Sequence, residues 1–397
     1  MKINLVLPHQ LPFPPMRGGG VEHLNLLLAR EFVRSGHDIV AYSRAAPNVP
    51  DRETDSDGIR HVRVKGYDRH PNRWIDHLNA LRYARNVYRV LEQADLSSFH
   101  TPFSFLLRRK EGAGVCAHTI HRTPKWPLPL YRNLDRLYCG SDAVMAQARE
   151  IDGTLTSLKR IYNCIALGPE APVGGQGDET AGLKFLYVGR FVTDKGIESL
   201  VKGFELAREE FPGNRLETVG PISGADGADY HFFRKMSQYV GQRGLDGEVT
   251  LGGPIFDKAQ LNGVIASADV ICVPSLGGET FSMAILEAMA LAKPVLVSDF
   301  SPMPEAVDHL VTGYVARAGD AGSIHDGIRF FCENRSRIAE MGRAAFHKAA
   351  TSFSVERIAS EYVEDFEALI RGKSGSTKMV DSQKVGAGEA KCAPIDA

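Results

Sequence analysis

Short apolar runs of strand length alternate with amphipathic stretches of helix length along most of the chain. Ile3–Leu7 reads as a buried strand, Val21–Ser35 follows with helical spacing, and Gly36-His37-Asp38 turns the chain into Ile39–Tyr42. Ile59–Val64, a helix near Trp74–Leu91, short strands near Ser98 and at Gly114–Ala117 and Leu137–Cys139, a helix over Asp142–Ile151 and a strand at Arg160–Tyr162 complete a first series. Gly168–Gly182 (GPEAPVGGQGDETAG), rich in glycine, proline and acid, reads as a linker. A second series then predicts strands at Leu183–Val188, Arg215–Val219, Val249–Leu251, Val270–Val273 and Pro294–Val297. Its helices are predicted at Gly196–Glu209, Asp229–Arg243, Lys258–Ile265, Phe281–Leu291 and Ser354–Ile370. Such alternation implies α/β architecture: two doubly wound parallel sheets, helices on both faces, facing a cleft. The expected organisation is a domain over 1–165, a linker over 166–182, a second domain over 183–352, a helix over 353–371 that packs back on the first domain, and a disordered tail over 372–397.

Size and charge agree with two domains. The 397 residues exceed what one core usually serves. A net charge of −1 hides an asymmetry: residues 1–165 hold 24 Lys/Arg against 16 Asp/Glu, leaving 23 against 32 for the remainder. The six cysteines form no CxxC pair or metal-type spacing, which favours buried reduced thiols and a cytoplasmic setting. Neither a signal-peptide core nor an apolar run of about 18 residues is present, so no membrane span is expected.

Two segments carry candidate chemistry. In Glu279–Glu287 (ETFSMAILE) two carboxylates stand eight positions apart on a segment that starts as a glycine-rich loop and becomes an apolar helix. A charge buried there needs a strong partner, and sugar or ribose hydroxyls are candidates; a surface glutamate is the bland alternative. In Gly189–Gly196 (GRFVTDKG), Arg190 and Lys195 follow a strand and precede a helix. Ligands of open α/β sheets collect at that carboxyl edge, where a guanidinium fork and an ammonium can hold a diphosphate; a solvated turn with incidental charges is the alternative.

Taken together, VGRFVTDKG, the E-x7-E segment, EAMALAKPVLVSD, the opening Gly18-Gly19-Gly20-Val21-Glu22, Thr119-Ile120-His121, Tyr162-Asn163 and the helix around Phe353-Ser354-Val355 resemble the retaining GT-B glycosyltransferases, family 4 in particular, over roughly residues 1–370. The resemblance implies two Rossmann-like domains and transfer of a sugar from a nucleotide diphosphate donor to an acceptor hydroxyl of a sugar or lipid-linked molecule, in polysaccharide or glycolipid biosynthesis. It implies that Arg190 and Lys195 grip the donor diphosphate in place of a divalent metal, with no cofactor. Glu287 would meet ribose hydroxyls and Glu279 the transferred sugar, with Phe281 and Ser282 offering backbone amides. Gly18, Gly19 and Gly20 would approach the diphosphate, His121 the reacting sugar, and Pro254-Ile255 the base. Thr280 and Ser282 depart from the glycines common at that loop mouth, and Gly277-Gly278 supplies flexibility beside them. His118 shares the CAHTIHR segment; register favours His121 as catalytic and leaves His118 packed.

Other classes fare worse. Asp55-Ser56-Asp57 imitates a metal-binding DxD string but sits in a polar turn between short strands. His118 and His121 lack a third metal ligand, GGGVE lacks G-x-G-x-x-G spacing, and no G-x-S-x-G elbow exists. Arg60, Arg63, Lys65, Arg69, Arg73, Arg82, Arg85 and Arg89 face only Asp68 and Asp76 between Ile59 and Val90, and Arg108-Arg109-Lys110 adds a cluster. Such runs are usually solvated faces; the functional alternative is peripheral docking to the anionic inner membrane face, helped by Trp74 or Trp126. No nucleic-acid module is recognisable. A nucleotide-sugar epimerase of the same architecture and a non-catalytic binding subunit remain the competing functions.

Overall fold

The computed structural model describes residues 1–16, 19–70, 72–122, 124, 128–172, 181–223 and 228–386, with 374–386 as backbone alone. Residues 173–180 of the expected linker therefore fall outside the described residues, as do Gly18, Trp126 and the last part of the tail.

The first half folds as β1 (Lys2–Val6), α1 (Gly20–Arg34), β2 (Asp38–Arg44), β3 (Arg52–Thr54), β4 (Arg60–Val64), α2 (Arg73–Val90), β5 (Leu96–Phe99), α3 (Ser104–Leu107), β6 (Val115–Ile120), β7 (Arg136–Cys139), α4 (Asp142–Ile151) and β8 (Leu158–Arg160). Its sheet runs β3-β4-β2-β1-β5-β6-β7-β8, parallel except for β3 at the edge. The second half continues with β9 (Lys184–Val188), α5 (Ile197–Ala207), β10 (Arg215–Val219), α6 (Tyr230–Gln242), β11 (Val249–Leu251), α7 (Lys258–Ser267), β12 (Val270–Val273), α8 (Met283–Ala290), β13 (Val295–Ser298), α9 (Met303–Ala306), β14 (Gly313–Ala316), α10 (Ala321–Glu333), α11 (Arg335–Ser352) and α12 (Val355–Gly386). Its sheet is parallel throughout, in the order β11-β10-β9-β12-β13-β14.

Alternate strand residues serve opposite faces, so each sheet carries two cores. Ile3, Leu5, Phe32 and Tyr138 belong to one side of the first sheet, and Val6, Tyr42, Tyr83 and Phe99 to the other. The second sheet divides similarly, between Phe185, Phe204 and Phe331 and Leu186, Ile285 and Phe353. Each such large side chain contributes about 1.5–3 kcal/mol by leaving water. Polar side chains set several helix starts: Asn72 accepts from the Trp74 amide, Ser141 from Val144, Asp257 from Gln260 and Asp320 from Gly322 and Ser323.

Strand order reverses at β1/β5 in the first sheet and at β9/β12 in the second. Crevices open at the carboxyl ends of strands where order reverses, because neighbouring crossovers leave on opposite faces. The loops after β1, β5 and β6 therefore line the first crevice, and those after β9 and β12 the second. The two halves meet through Asn163, which donates to the Phe281 carbonyl at 2.8 Å, and Glu305, which accepts from the Asp142 and Ala143 amides at the start of α4.

The last helix ties the halves together. Ile165 and Ser354 pair as a short bridge where the chain crosses over and back. From there α12 places Val355, Ile358, Tyr362 and Phe366 into the first domain's core. Asp365, 6% exposed, accepts from Arg136 at 2.9 and 3.1 Å, Tyr138 at 2.7 Å and Lys159 at 3.1 Å. The helix runs past residue 371, where its apolar periodicity ends, to Gly386.

Candidate functional site

Glycine geometry draws the β9 turn against the end of β12. Gly196 has φ of 71°, and a Cβ there would lie 1.9 Å from the Pro274 carbonyl oxygen, so no other residue fits this close approach. The Leu276 amide donates to the Asp194 carbonyl at 2.8 Å and fixes the two loops together. Lys195 is thereby brought to Glu279: its Nζ donates to Glu279 Oε1, and Ser275 Oγ donates to the same oxygen at 3.3 Å. Both side chains are largely buried, at 12% and 15% exposed. Arg190 stands at the carboxyl end of β9, its carbonyl held by the Tyr187 hydroxyl at 2.9 Å.

Helix α8 begins beside this pair. Its N-cap, Ser282, makes no side-chain capping bond, and Phe281 is 3% exposed with its ring against Tyr162 and Phe353. Across the cleft α1 begins at Gly19, which has φ of 110° and likewise caps with no side chain. A Cβ on Gly20 would lie 3.6 Å from Met283 Cγ, so the two helix starts are within contact distance of each other. The positive end of the α8 dipole meets this crevice, an arrangement that favours an anion by about 0.3–1 kcal/mol, whereas the Glu22 carboxylate lies against Gly19 at the start of α1.

One argument from sequence needs revising. A carboxylate on an apolar helix was expected to demand a polar ligand, yet Glu287 is already paired: Lys258 of α7 donates to its Oε1 at 2.5 Å. Glu279 is satisfied by Lys195 in the same way. Burial of either carboxylate is thus offset within the protein, and a ligand there must exchange partners with a lysine. His23 of α1 reaches this second pair from the opposite domain; burial and the Lys258 charge hold its pKa down while Glu287 opposes them.

On the first-domain side, β6 ends at His121. Its Nε2 lies 2.6 Å from Nδ1 of His100, which follows β5 and lies 3.1 Å from Ser98 Oγ through its other nitrogen. Burial, then Arg122, pushes the His121 pKa down to about 4, so the ring is neutral at physiological pH. His118 is packed on Tyr131, 3.1 Å from Ser104 Oγ, and pushed down to about 3 by burial. Glu22, in the first turn of α1, is 4% exposed and its carboxyl is raised by burial to about 7. Arg122 opposes that rise, and its own pKa is lowered by burial and by the charges of Arg69 and Arg190.

His100, His23, Arg122 and Lys258 were not singled out from sequence, and Glu22 was named there only as a motif residue with no role. Each lies beside a motif residue or at the end of a strand flanking the reversal point, and placing β5 there would have pointed to His100.

The rejected motif is a hairpin turn. Asp55 accepts from the Asp57 and Ile59 amides and from His61, and Asp57 pairs with Arg30 at 2.7 Å. Among the described residues no cluster of three or more His, Cys, Asp or Glu is arranged to hold a metal. The basic stretch is not one surface. Arg60 is spent on Asp38 and Glu92, and Arg63 is 5% exposed and paired with Glu53. No described helix is long and apolar enough to cross a membrane.

Residues 18–167 match the family described as Glycosyltransferase Family 4, and residues 176–348 match Glycosyl transferases group 1. The chain is 22% identical to a glycogen synthase of Mycobacterium tuberculosis, covering 91% of this chain and 94% of that protein. It is 24% identical to a phosphatidyl-myo-inositol mannosyltransferase of Mycobacterium leprae, covering 96% and 100%. A sucrose-phosphate synthase from Thermosynechococcus elongatus shares the fold with a TM-score of 0.81 at 21% identity, over 94% of this chain and all of that one. Anabaena Alr3699/HepE in complex with UDP-glucose does so with a TM-score of 0.73 at 16% identity, over 93% and 100%. Two successive family matches and a two-sheet cleft lead to one assignment: the chain belongs to the GT-B glycosyltransferases.

Proposed function

We propose that the protein moves a sugar from a nucleotide diphosphate sugar to an acceptor hydroxyl with retention of anomeric configuration. The observation that carries this reading is Lys195 and Arg190 in the loop after β9, beside the start of α8, whose N-cap makes no side-chain bond. As the bond from the anomeric carbon to phosphate oxygen breaks, negative charge grows on the diphosphate. Fixed cations and amides aimed at that oxygen stabilise the transition state more than the ground state. Lys195 exchanges Glu279 for phosphate, freeing that carboxylate for the hydroxyls of the transferred sugar. Glu287 likewise trades Lys258 for ribose hydroxyls, Phe281 and Ser282 offer amides, and Gly19 and Gly20 close over the diphosphate. The acceptor oxygen attacks from the leaving-group face, and the departing phosphate oxygen takes its proton. A double displacement by paired carboxylates is disfavoured, because it needs both groups flanking the bond that breaks and Glu287 is assigned to the ribose. Neutral His121, held by His100, faces the sugar as a hydrogen-bonding group.

The proposed division of labour is acceptor binding by residues 1–165 and donor binding by 183–352, with 353–371 tying the two. The relatives' names include a glycogen synthase and a phosphatidyl-myo-inositol mannosyltransferase, which supports a polysaccharide or glycolipid acceptor; the proposed setting is the cytoplasm or the inner membrane face. The neighbour solved with UDP-glucose makes uridine diphosphate the first nucleotide to test. Incubation with labelled UDP-glucose and other nucleotide sugars, with and without acceptor, tests the reading. Acceptor-dependent release of nucleoside diphosphate with an unchanged anomer supports it. Sugar epimerisation without acceptor would indicate an epimerase, and no turnover with any donor a binding subunit.

A further inference from the structure

Helix α2 has two unlike faces. Asn79, Ala80, Tyr83, Ala84 and Val87 point inward onto the sheet. At 100° per residue the remaining positions make one outward arc that interleaves Trp74, Leu78, Leu81 and Tyr88 with Arg82, Arg85 and Arg89. Trp74 is 83% exposed, and Ile75, Leu78, Leu81 and Tyr88 are exposed beside it. The three outward arginines make no ion pair among the described residues. The helix's one acid, Asp76, is turned away: it accepts from the His70 amide at 3.1 Å and lies 3.9 Å from His9 Nε2. Lys110 sits 5.2 Å from the centre of the Tyr88 ring and extends the cationic edge toward exposed Arg108 and Arg109.

We infer that this face of α2 docks on an anionic lipid bilayer surface. A water-facing helix gains nothing from exposing tryptophan and leucine in one stripe, whereas a helix lying in the headgroup plane buries them among acyl chains. Tryptophan suits that depth, with an apolar ring and one polar N–H. The arginines bury their aliphatic stems and hold lipid phosphates with their guanidinium forks. An all-cationic arc selects an anionic leaflet over a neutral one. Docking would also place the cleft at the membrane, because Asp76 ties the first turn of α2 to the loop leaving β1: Gln10 Nε2 donates to it at 3.5 Å.

The test uses the full chain and vesicles of phosphatidylcholine, with or without phosphatidylglycerol, and no nucleotide. Success or failure of the sugar-transfer reading therefore does not bear on it. Flotation should recover the protein with the anionic vesicles only and less of it as salt rises. In a Trp126→Phe background, Trp74 emission should move to the blue on adding those vesicles. The triple variant Arg82→Glu, Arg85→Glu, Arg89→Glu should bind at least tenfold more weakly while melting as the parent does; if it melts lower, Trp74→Ser gives the same readout. Equal binding to neutral vesicles, no binding to either, wild-type binding by the triple variant, or self-association through Trp74 in place of vesicle binding would each overturn the inference.

Discussion

Replacing Lys195 by alanine separates two roles that the structure combines in one ammonium group. Lys195 holds Glu279 in the structure and is assigned the donor diphosphate during turnover. With its side chain 12% exposed, the lost charge-assisted contact to phosphate is worth about 1.5–3 kcal/mol, or roughly 10- to 150-fold in rate. Leaving Glu279 with Ser275 as its remaining donor among the described residues adds a cost of its own. A double-mutant cycle with Glu279→Gln divides the two. Steady-state release of nucleoside diphosphate from the nucleotide sugar is measured for wild type, both singles and the double. If Lys195 acts on phosphate, Lys195→Ala should still cost at least about tenfold in the Glu279→Gln background. A double variant no slower than Glu279→Gln alone would refute the phosphate role and leave Lys195 as a positioning group for the carboxylate.

Glu287→Ala should weaken nucleoside diphosphate binding in calorimetry; unchanged affinity would remove it from the ribose site. Asp365→Asn leaves Arg136 and Lys159 facing a neutral amide and should lower stability by about 2–4 kcal/mol, read as a drop in the thermal midpoint. Glu22 should make stability pH-dependent. Its carboxyl titrates near 7 in the fold against an ordinary 4.5, so between those values the native state keeps a proton that the unfolded chain has lost. Stability therefore falls as pH rises across that window and is level above it, by about 3 kcal/mol at most. Glu22→Gln should melt higher than wild type at about pH 8, with the gap closing toward about pH 4.5; a constant gap would contradict the buried-carboxyl account.

Regular sheet residues announced themselves in the sequence. Val270–Val273 falls where an unbroken apolar run placed it, because a strand buried on both faces leaves no polar positions, and Arg215–Val219 and Val249–Leu251 fall where expected although Arg215, Glu217 and Thr250 interrupt them. The region between Ser298 and Phe353 was opaque. Helix α10 carries Gly322 and Gly327, and a Cβ on Gly327 would lie 2.9 Å from Leu296 and Tyr314. Its small residues serve close packing and erase the periodic signal. In α11 the buried stripe is Met341, Gly342, Ala345 and Ala349, in which three of the four side chains are too small to stand out. At the site, motif residues could be named individually, but their partners could not. Lys258 lies 29 positions from Glu287, and Lys195 lies 84 from Glu279. Only the fold, which sets the β9 loop and the start of α7 beside the segment that follows β12, shows that each carboxylate already has its cation.

The central claim is that side-chain cations at the carboxyl edge of the second sheet neutralise the diphosphate. Its most direct measurement is sugar transfer from the preferred nucleotide sugar in the presence of excess EDTA, for wild type and Lys195→Ala. The account predicts wild-type turnover that the chelator leaves unchanged and a Lys195→Ala rate that added manganese does not restore. Turnover abolished by EDTA and recovered with manganese would contradict it.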